Sequence, residues 1–309
     1  MAEFDPETAA WMASIPVPDQ PPTIAERREG SRARNAALRE RVGDRFQSAV
    51  ESETRVAGRA ARVYRPAVAG PVPTIAYFHG GGWVIGDLDT HSAVARRLCV
   101  QTEAVVVLVD YRRAPEDVFP AAFDDCLAAT REIAERRDEF GGGPLAVAGD
   151  SAGGQLAVSV AIACRADGPE LAAQLLLYPV TDVQGSYRDP AVNSAYPSRQ
   201  TRSPGYGLTT PEMGWFVDQY AAGDGDWRVS PLRADLTGLP PAVVHTAGYD
   251  PLCSEGNALA EALAQAGVPV VHREFETLAH SYFGYGGVSA AAEAAATTAA
   301  DDLRDLLSR

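Results

Sequence analysis

The sequence has 309 residues, of which 46% are hydrophobic and 22% charged, a composition typical of a globular protein with a substantial core. Its formal net charge of −14 argues against a nucleic-acid-binding protein, because such proteins cluster Lys and Arg against phosphates. No apolar run approaches the ~18 residues of a membrane span and no signal-peptide pattern begins the chain, so we predict a cytoplasmic location without a membrane partner.

The first 50 residues are polar and charged, and residues 24–46 have the pattern of one or two amphipathic helices. From about residue 54, short apolar runs typical of strands alternate with helical patterns. The predicted strands are 62–65, 74–78, 105–109, 145–148, 173–177, 242–246 and 268–275. The predicted helices are 92–100, 121–137, 153–166, 255–266 and 290–308. This alternation predicts an α/β protein with a mostly parallel sheet that is covered by helices on both faces.

One long segment, 182–228, interrupts the alternation and is rich in Tyr, Pro and Gly. An insertion of this length is typical of a functional lid. We therefore divide the chain into N-terminal cap helices (1–50), a first core segment (51–181), a cap insertion (182–228) and a second core segment (229–309). Four aromatic residues of the insertion are candidates either to line a pocket or to pack within the cap: Tyr206, Trp215, Phe216 and Tyr220.

Several other residues are expected to be structural. The four cysteines lie far apart without C-x-x-C spacing, which favours buried free thiols over disulfides or a metal site; they are Cys99, Cys126, Cys164 and Cys253. Two histidines, His245 and His272, lie within predicted strands, where packed side chains are expected.

The stretch AGDSAGGQ at 148–155 places Ser151 directly after a predicted strand. Gly149, Ser151 and Gly153 satisfy G-x-S-x-G, which presents a nucleophilic serine on a sharp turn between a strand and a helix. Small residues are needed there because a larger side chain would clash with the close backbone. Chymotrypsin-like proteases carry the similar GDSGGP, which leaves two interpretations of this stretch.

A serine nucleophile needs a base, and the base needs an orienting carboxylate. His280 follows the last predicted strand, and Asp250 follows the strand 242–246, at the strand ends where α/β sheets place their chemistry. Asp110 also follows a strand, but it precedes Ser151 and fits the order less well. The order Ser151, Asp250, His280 is that of α/β hydrolases, whereas chymotrypsin-like chains run His, Asp, Ser, so the protease interpretation fails.

A glycine-rich stretch, FHGGGWV at 78–84, follows the strand 74–78. Ester hydrolysis builds negative charge on the carbonyl oxygen, and main-chain N–H groups aimed at that oxygen stabilise it. Three successive glycines let the backbone approach a substrate closely. A phosphate-binding loop is the alternative, but neither G-x-G-x-x-G nor GK[ST] occurs here.

These stretches, together with DYRRAPE at 110–116, FPAA at 119–122 and DPL at 250–252, resemble the motifs of hormone-sensitive-lipase-like esterases, bacterial family IV. The similarity runs from about Tyr64 to the C-terminus and implies an α/β-hydrolase fold with a helical cap. It implies Ser151 as nucleophile, His280 as general base and acid, and Asp250 as orienting carboxylate. It further implies oxyanion-hole donors and residues that support the two motifs. The implied donors are the N–H groups of Gly81, Gly82 and Ala152, and the implied supports are His79, Gly80 and Asp150.

The sequence departs from the family pattern at two places. The family commonly has Arg-Asp after Asp-Pro-Leu and Gly after the histidine, where this chain has Cys253-Ser254 and Ser281. These changes leave the triad intact and concern substrate choice more than activity.

The resulting hypothesis is a serine carboxylesterase that hydrolyses short- to medium-chain esters of small molecules through an acyl-enzyme, with no metal or organic cofactor. Family likeness is also compatible with a homodimer. The alternatives are an amidase, a lactonase or a deacetylase with the same triad, or a non-catalytic small-molecule-binding relative.

Overall fold

A single eight-stranded sheet forms the centre of the computed structural model, which describes residues 2–16, 20–46, 50–202 and 205–308. The strands are β1 (Val50–Val56), β2 (Arg59–Arg65), β3 (Val72–Phe78), β4 (Val105–Val109), β5 (Gly142–Asp150), β6 (Ala173–Leu177), β7 (Ala242–Tyr249) and β8 (Val270–Ala279). Their order is β1-β2-β4-β3-β5-β6-β7-β8. The β1–β2 and β2–β4 pairs are antiparallel and the others are parallel.

Ten α-helices surround the sheet in the described part of the chain. They are α1 (Pro6–Ala13), α2 (Ile24–Val42), α3 (Ser92–Thr102), α4 (Ala121–Glu135), α5 (Ala152–Asp167), α6 (Pro190–Ser194), α7 (Ser198–Thr201), α8 (Thr210–Tyr220), α9 (Cys253–Gln265) and α10 (Ala290–Leu307). Successive residues of β4 show how the sheet separates two cores. Val105 and Val107 pack with residues of α4, α5 and α9, whereas Val106 packs with residues of α3 and α10. Burial on both faces therefore explains the unbroken apolar run of this strand.

The predicted fold class is confirmed, and all seven predicted strands occur. The structure adds β1, which the sequence analysis did not predict because most side chains of its sequence VESETRV are exposed. β1 pairs with β2 at one edge of the sheet, and its last residue, Val56, is buried. Strands β7 and β8 also run past their predicted ends, to Tyr249 and Ala279. The four cysteines are buried and free, as expected.

Five helices lie in the two segments predicted to form the cap, α1 and α2 near the N-terminus and α6 to α8 within 182–228. Parts of both segments, 17–19, 47–49 and 203–204, lie outside the described residues. The division of the chain into four segments stays a prediction. Within the described ranges, no helix is both long and apolar enough to cross a lipid bilayer.

Candidate active site

Ser151 occupies a tight turn between β5 and α5 and has a positive φ of 55°. Both glycines of its motif are needed for close packing. A Cβ on Gly153 would overlap the carbonyl oxygen of Phe78, and a Cβ on Gly149 would overlap the main chain of Gly153. The N–H of Ser151 donates to the Leu177 carbonyl at 2.8 Å, which fixes the turn against β6. The sequence therefore folds locally into the predicted strand–turn–helix.

Asp250 and His280 leave neighbouring strands side by side, because Tyr249 of β7 pairs with Ala279 of β8. Nδ1 of His280 lies 2.7 Å from Oδ2 of Asp250. Nε2 of His280 lies 2.9 Å from Oγ of Ser151. Asp250 has no exposed surface, while Ser151 is 6% and His280 9% exposed. The structure thus brings together the three predicted residues in hydrogen-bonding order.

The other candidate acid and the two strand histidines lie elsewhere. Asp110 faces Arg113 at 3.7 Å. The buried ring of His245 lies 3.1 Å from both the Tyr282 hydroxyl and the Asp302 carboxylate. His272 contacts the Asn257 side chain at 3.0 Å. These contacts are those expected of structural residues.

The glycine loop presents main-chain donors beside Ser151. Gly81 and Gly82 have φ values of +108° and +58°, which favour glycine. The Gly81 carbonyl accepts from the N–H groups of Val84 and Ile85 at 3.0 and 2.8 Å, which closes the loop. Among the described residues, no acceptor is bonded to the N–H of Gly81, Gly82 or Ala152. Gly81, Gly82 and Ser151 also line the same cavity, so these donors can serve an oxyanion.

Asp150 joins the serine turn to the glycine loop. Its Oδ1 accepts from the Tyr77 hydroxyl at 2.7 Å and from the Gly80 N–H at 2.9 Å. Nε2 of His91 lies 3.4 Å from the carboxylate. Burial alone would raise the pKa of Asp150, but His91 and the two hydrogen bonds outweigh it and hold the pKa below its ordinary value. Asp150 is therefore an ionised anchor for the loop.

His79 is buried at the start of the glycine loop. Its ring stacks on Tyr111 with centroids 4.1 Å apart, and Nδ1 lies 2.9 Å from the Gly80 carbonyl. The Tyr111 hydroxyl donates to the His79 carbonyl at 2.6 Å. Burial, reinforced by the neighbouring His91, lowers the pKa of His79 to about 3. A histidine that stays neutral at ordinary pH suits a supporting role.

A cavity of about 950 Å³ opens over the serine. Ser151 and His280 lie on its wall, and the glycine loop forms the adjoining part. Helix α8 contributes Met213 and Phe216, while α2 contributes a long polar face. The cavity is thus enclosed by the sheet edge and by helices from both predicted cap segments.

Only one of the four candidate aromatic residues, Phe216, lies on the wall of this cavity. Tyr206 packs against Phe4, with ring centroids 5.0 Å apart. Trp215 lies under the guanidinium of Arg27 at 4.3 Å. Tyr220 stacks on Trp83 at 4.7 Å. The latter three act in packing, so the pocket-lining alternative is wrong for them.

Sequence reasoning missed two residues of the site. Tyr178 lies on the cavity wall with its ring edge-on to His280 at 4.9 Å. Its place directly after β6 could have indicated it, because the ends of parallel strands meet at one edge. His91, beside Asp150, precedes α3 and follows no strand. Its position in the sequence therefore did not indicate that His91 belongs to the site.

The departures from the family pattern have defined contacts. Ser254 and Ser198 exchange two hydrogen bonds of 3.0 Å from main-chain N–H to side-chain oxygen, which joins α9 to α7. Cys253 accepts from Arg202 at 3.1 Å, and burial raises the pKa of its thiol to about 12. Ser281 adopts a left-handed conformation with φ +66°. Their effect on substrate choice stays a prediction.

Comparisons with known proteins agree with this geometry. A family model described as alpha/beta hydrolase fold matches residues 75–284. Esterase LipI of Mycobacterium tuberculosis is 39% identical over 287 residues, which cover 88% of each chain. Carboxylesterase NlhH of the same species is 42% identical over 241 residues, 75% of this chain and 74% of the relative. The crystal structure of a thermostable esterase from Pseudomonas putida ECU1011 is 34% identical, with a TM-score of 0.87 over 99% of this chain and 98% of that chain.

Proposed function

The chain belongs to the hormone-sensitive-lipase-like family of α/β hydrolases, and we propose on this basis that it is a serine carboxylesterase. The observation that carries the proposal is the hydrogen-bonded series Ser151–His280–Asp250, with separations of 2.9 and 2.7 Å. The names of two relatives support an ester as the substrate, since LipI is named an esterase and NlhH a carboxylesterase.

Acylation follows from the contacts of Ser151. Its Oγ attacks the ester carbonyl carbon while its proton passes to Nε2 of His280. Asp250 accepts from Nδ1–H, which holds the ring in the tautomer that leaves Nε2 free and stabilises the imidazolium that forms. The Leu252 N–H donates to the other carboxylate oxygen of Asp250 at 2.8 Å and keeps that side chain in place.

The tetrahedral intermediate carries its negative charge on the former carbonyl oxygen. The N–H groups of Gly81, Gly82 and Ala152 stabilise that charge, and each such donor is worth about 3–4 kcal/mol of barrier. Collapse of the intermediate breaks the bond to the alkoxy group, which takes the proton from His280 and leaves as the alcohol. Water then gives a proton to His280 and attacks the acyl group, which releases the carboxylic acid and restores Ser151.

We further infer that short- to medium-chain esters are the substrates. The support is Phe216, whose ring packs directly on Gly82 of the glycine loop and occupies space beside the attacking serine. A small-molecule ester is then the expected partner. A homodimer and a cytoplasmic location stay predictions from the sequence.

The experiment compares Ser151→Ala with the unaltered protein on p-nitrophenyl butyrate and with a fluorophosphonate probe. We expect kcat to fall by about 10⁵–10⁶-fold and covalent labelling to disappear, because the hydroxyl oxygen is the nucleophile. His280→Gln should lose a similar factor. His272→Gln is the matched control and should retain activity, since its side chain contacts Asn257 instead. Undiminished turnover by Ser151→Ala would refute the proposal.

A further inference from the structure

One face of α2 forms a polar wall of the cavity. Arg27, Ser31 and Arg34 follow one another at spacings of four and three residues, and all three line the cavity. Residues at these spacings lie on the same face of a helix. Helix α8 contributes the apolar side chains of Met213 and Phe216 to the same cavity. The cavity therefore offers a polar side to part of its ligand.

The carboxylates of the cavity wall are already bonded to donors of the protein. Glu26 accepts from the N–H and the hydroxyl of Thr23, both at 2.8 Å, at the start of α2. Glu212 accepts from Thr209 in the same way at 3.1 and 3.0 Å, at the start of α8. Asp150 accepts from Tyr77 and Gly80, as described above. The oxygens that accept these bonds are thus engaged within the protein.

Donors on the same wall are not bonded in this way. Ser31 is 7% exposed, and within the described ranges its hydroxyl has no hydrogen-bond partner. The guanidinium of Arg34 forms no ion pair or hydrogen bond with any described residue. Nε of Arg27 is buried and lacks an acceptor among those residues. The Glu212 carboxylate, 3.9 Å from Arg27, and the Trp215 ring partly compensate the positive charge of Arg27. Arg34 is therefore the arginine of this wall whose charge has no partner among the described residues.

We propose that Arg34 and Ser31, with Arg27 beside them, form a carboxylate-binding subsite, so that the preferred substrates are esters that also carry a carboxylate. This inference rests on the proposed function. A guanidinium presents paired N–H donors that match the two oxygens of a carboxylate, and the Ser31 hydroxyl adds a third donor. Charges more than ~8 Å from the subsite are screened at physiological salt, so the distant part of the net charge of −14 opposes an anion only weakly.

The test uses matched ester pairs that differ in the carboxylate. Monoethyl adipate is compared with ethyl hexanoate for a charge on the acyl side. Then 4-acetoxybutanoate is compared with butyl acetate for a charge on the alcohol side. For each pair, the selectivity ratio is kcat/KM of the carboxylate ester divided by kcat/KM of the neutral ester.

Arg34→Gln should lower the selectivity ratio by about tenfold in at least one pair, because it removes a charge-assisted hydrogen bond. Ser31→Ala should lower the same ratio by a smaller factor. The change should arise in KM of the carboxylate ester, with kcat for the neutral ester unchanged. Arg39→Gln is the matched control, since Arg39 is exposed on the same helix away from the cavity wall, and it should leave the ratio unchanged.

The outcomes separate this inference from the proposed function. Selectivity ratios of Arg34→Gln within twofold of the unaltered protein in both pairs would overturn the subsite. An equal fall in Arg34→Gln and Arg39→Gln would also overturn it, because the effect would then be general electrostatics. Failure of the unaltered protein to hydrolyse p-nitrophenyl butyrate and all four esters would refute the esterase itself.

Discussion

The guanidinium of Arg199 and the carboxylate of Glu255 lie 2.6 Å apart, and neither side chain is exposed to solvent. Arg199 also lies between the rings of Tyr187 and Tyr196, at 4.0 and 4.3 Å. The Tyr187 hydroxyl donates to Glu255 at 2.9 Å. Because Arg199 belongs to α7 and Glu255 to α9, this ion pair joins the 182–228 segment to the helices that cover the sheet.

We predict that Arg199→Met destabilises the protein by about 3–5 kcal/mol, because it leaves a buried carboxylate without its partner. The double variant Arg199→Met with Glu255→Leu should be more stable than Arg199→Met alone, since it removes both charges. Urea-induced unfolding measures the free energies.

A matched control for this prediction is the exposed pair Arg188–Asp218, whose side chains are 53% and 48% exposed. Arg188→Gln should cost about 0–1 kcal/mol, because solvent screens an exposed pair. Equal free energies of unfolding for Arg199→Met and Arg188→Gln would contradict the role of the buried pair.

Phe216→Ala should shift substrate preference toward longer acyl chains. The ring packs on Gly82 and lies on the cavity wall, so its removal opens space beside the serine. We expect the kcat/KM ratio of p-nitrophenyl octanoate to p-nitrophenyl acetate to rise by about tenfold. Tyr206→Ala, which removes an aromatic side chain away from the cavity wall, should leave the ratio unchanged. An unaltered chain-length profile in Phe216→Ala would show that this ring does not limit the acyl group.

Ser281→Gly should stabilise the protein. Ser281 adopts a φ of +66°, which costs a residue with a Cβ about 1–2 kcal/mol, and glycine removes that cost. The greater freedom of glycine in the unfolded chain offsets part of the gain, so we expect a net increase of about 0.5–1 kcal/mol in the free energy of unfolding. Ser281→Ala retains the strain and should show no increase. A lower stability of Ser281→Gly than of Ser281→Ala would disprove the assignment of strain.

The imidazole of His79 should remain neutral from pH 8 down to about pH 4, because burial lowers its pKa to about 3. In the unfolded chain it titrates near 6.5, so the unfolded state binds the additional proton as the pH falls. His79 therefore contributes a loss of stability between about pH 6.5 and pH 3, in the same direction as His245, whose pKa burial also lowers. NMR titration of the ring protons checks this, with the His79 signal assigned from His79→Asn. A titration midpoint above pH 5 would contradict it.

The buried centre of the sheet is the part that sequence patterns predict best. The run VVVLV of β4 must be a strand buried on both faces, because apolar residues alternate between the two cores. Strand β1 carries no such signal, since it pairs with β2 at the sheet edge and most of its side chains are exposed. Hydrophobic patterns in the sequence thus indicate buried strands, and they miss a mostly exposed strand that forms main-chain hydrogen bonds at the sheet edge.

The positions of the candidate catalytic residues were predictable for a related reason. Ser151, Asp250 and His280 each follow a strand, so their convergence at one sheet edge is a consequence of parallel topology. No comparable pattern in the sequence indicates that α2 forms part of the cavity wall. Tertiary ion pairs hold this helix, Arg28 to Glu116 at 2.7 Å and Arg32 to Asp87 at 2.7 Å. Contacts between segments so far apart cannot be deduced from local periodicity.

Helix α2 forms part of the cavity wall but lies outside the central β-sheet. It is attached through Arg28 and Arg32, whose guanidinium groups contact Glu116 and Asp87, residues outside the serine turn. We therefore expect a library of variants confined to the cavity-facing positions of this one helix to change which compounds enter, while Ser151, Asp250 and His280 keep their places at the strand ends.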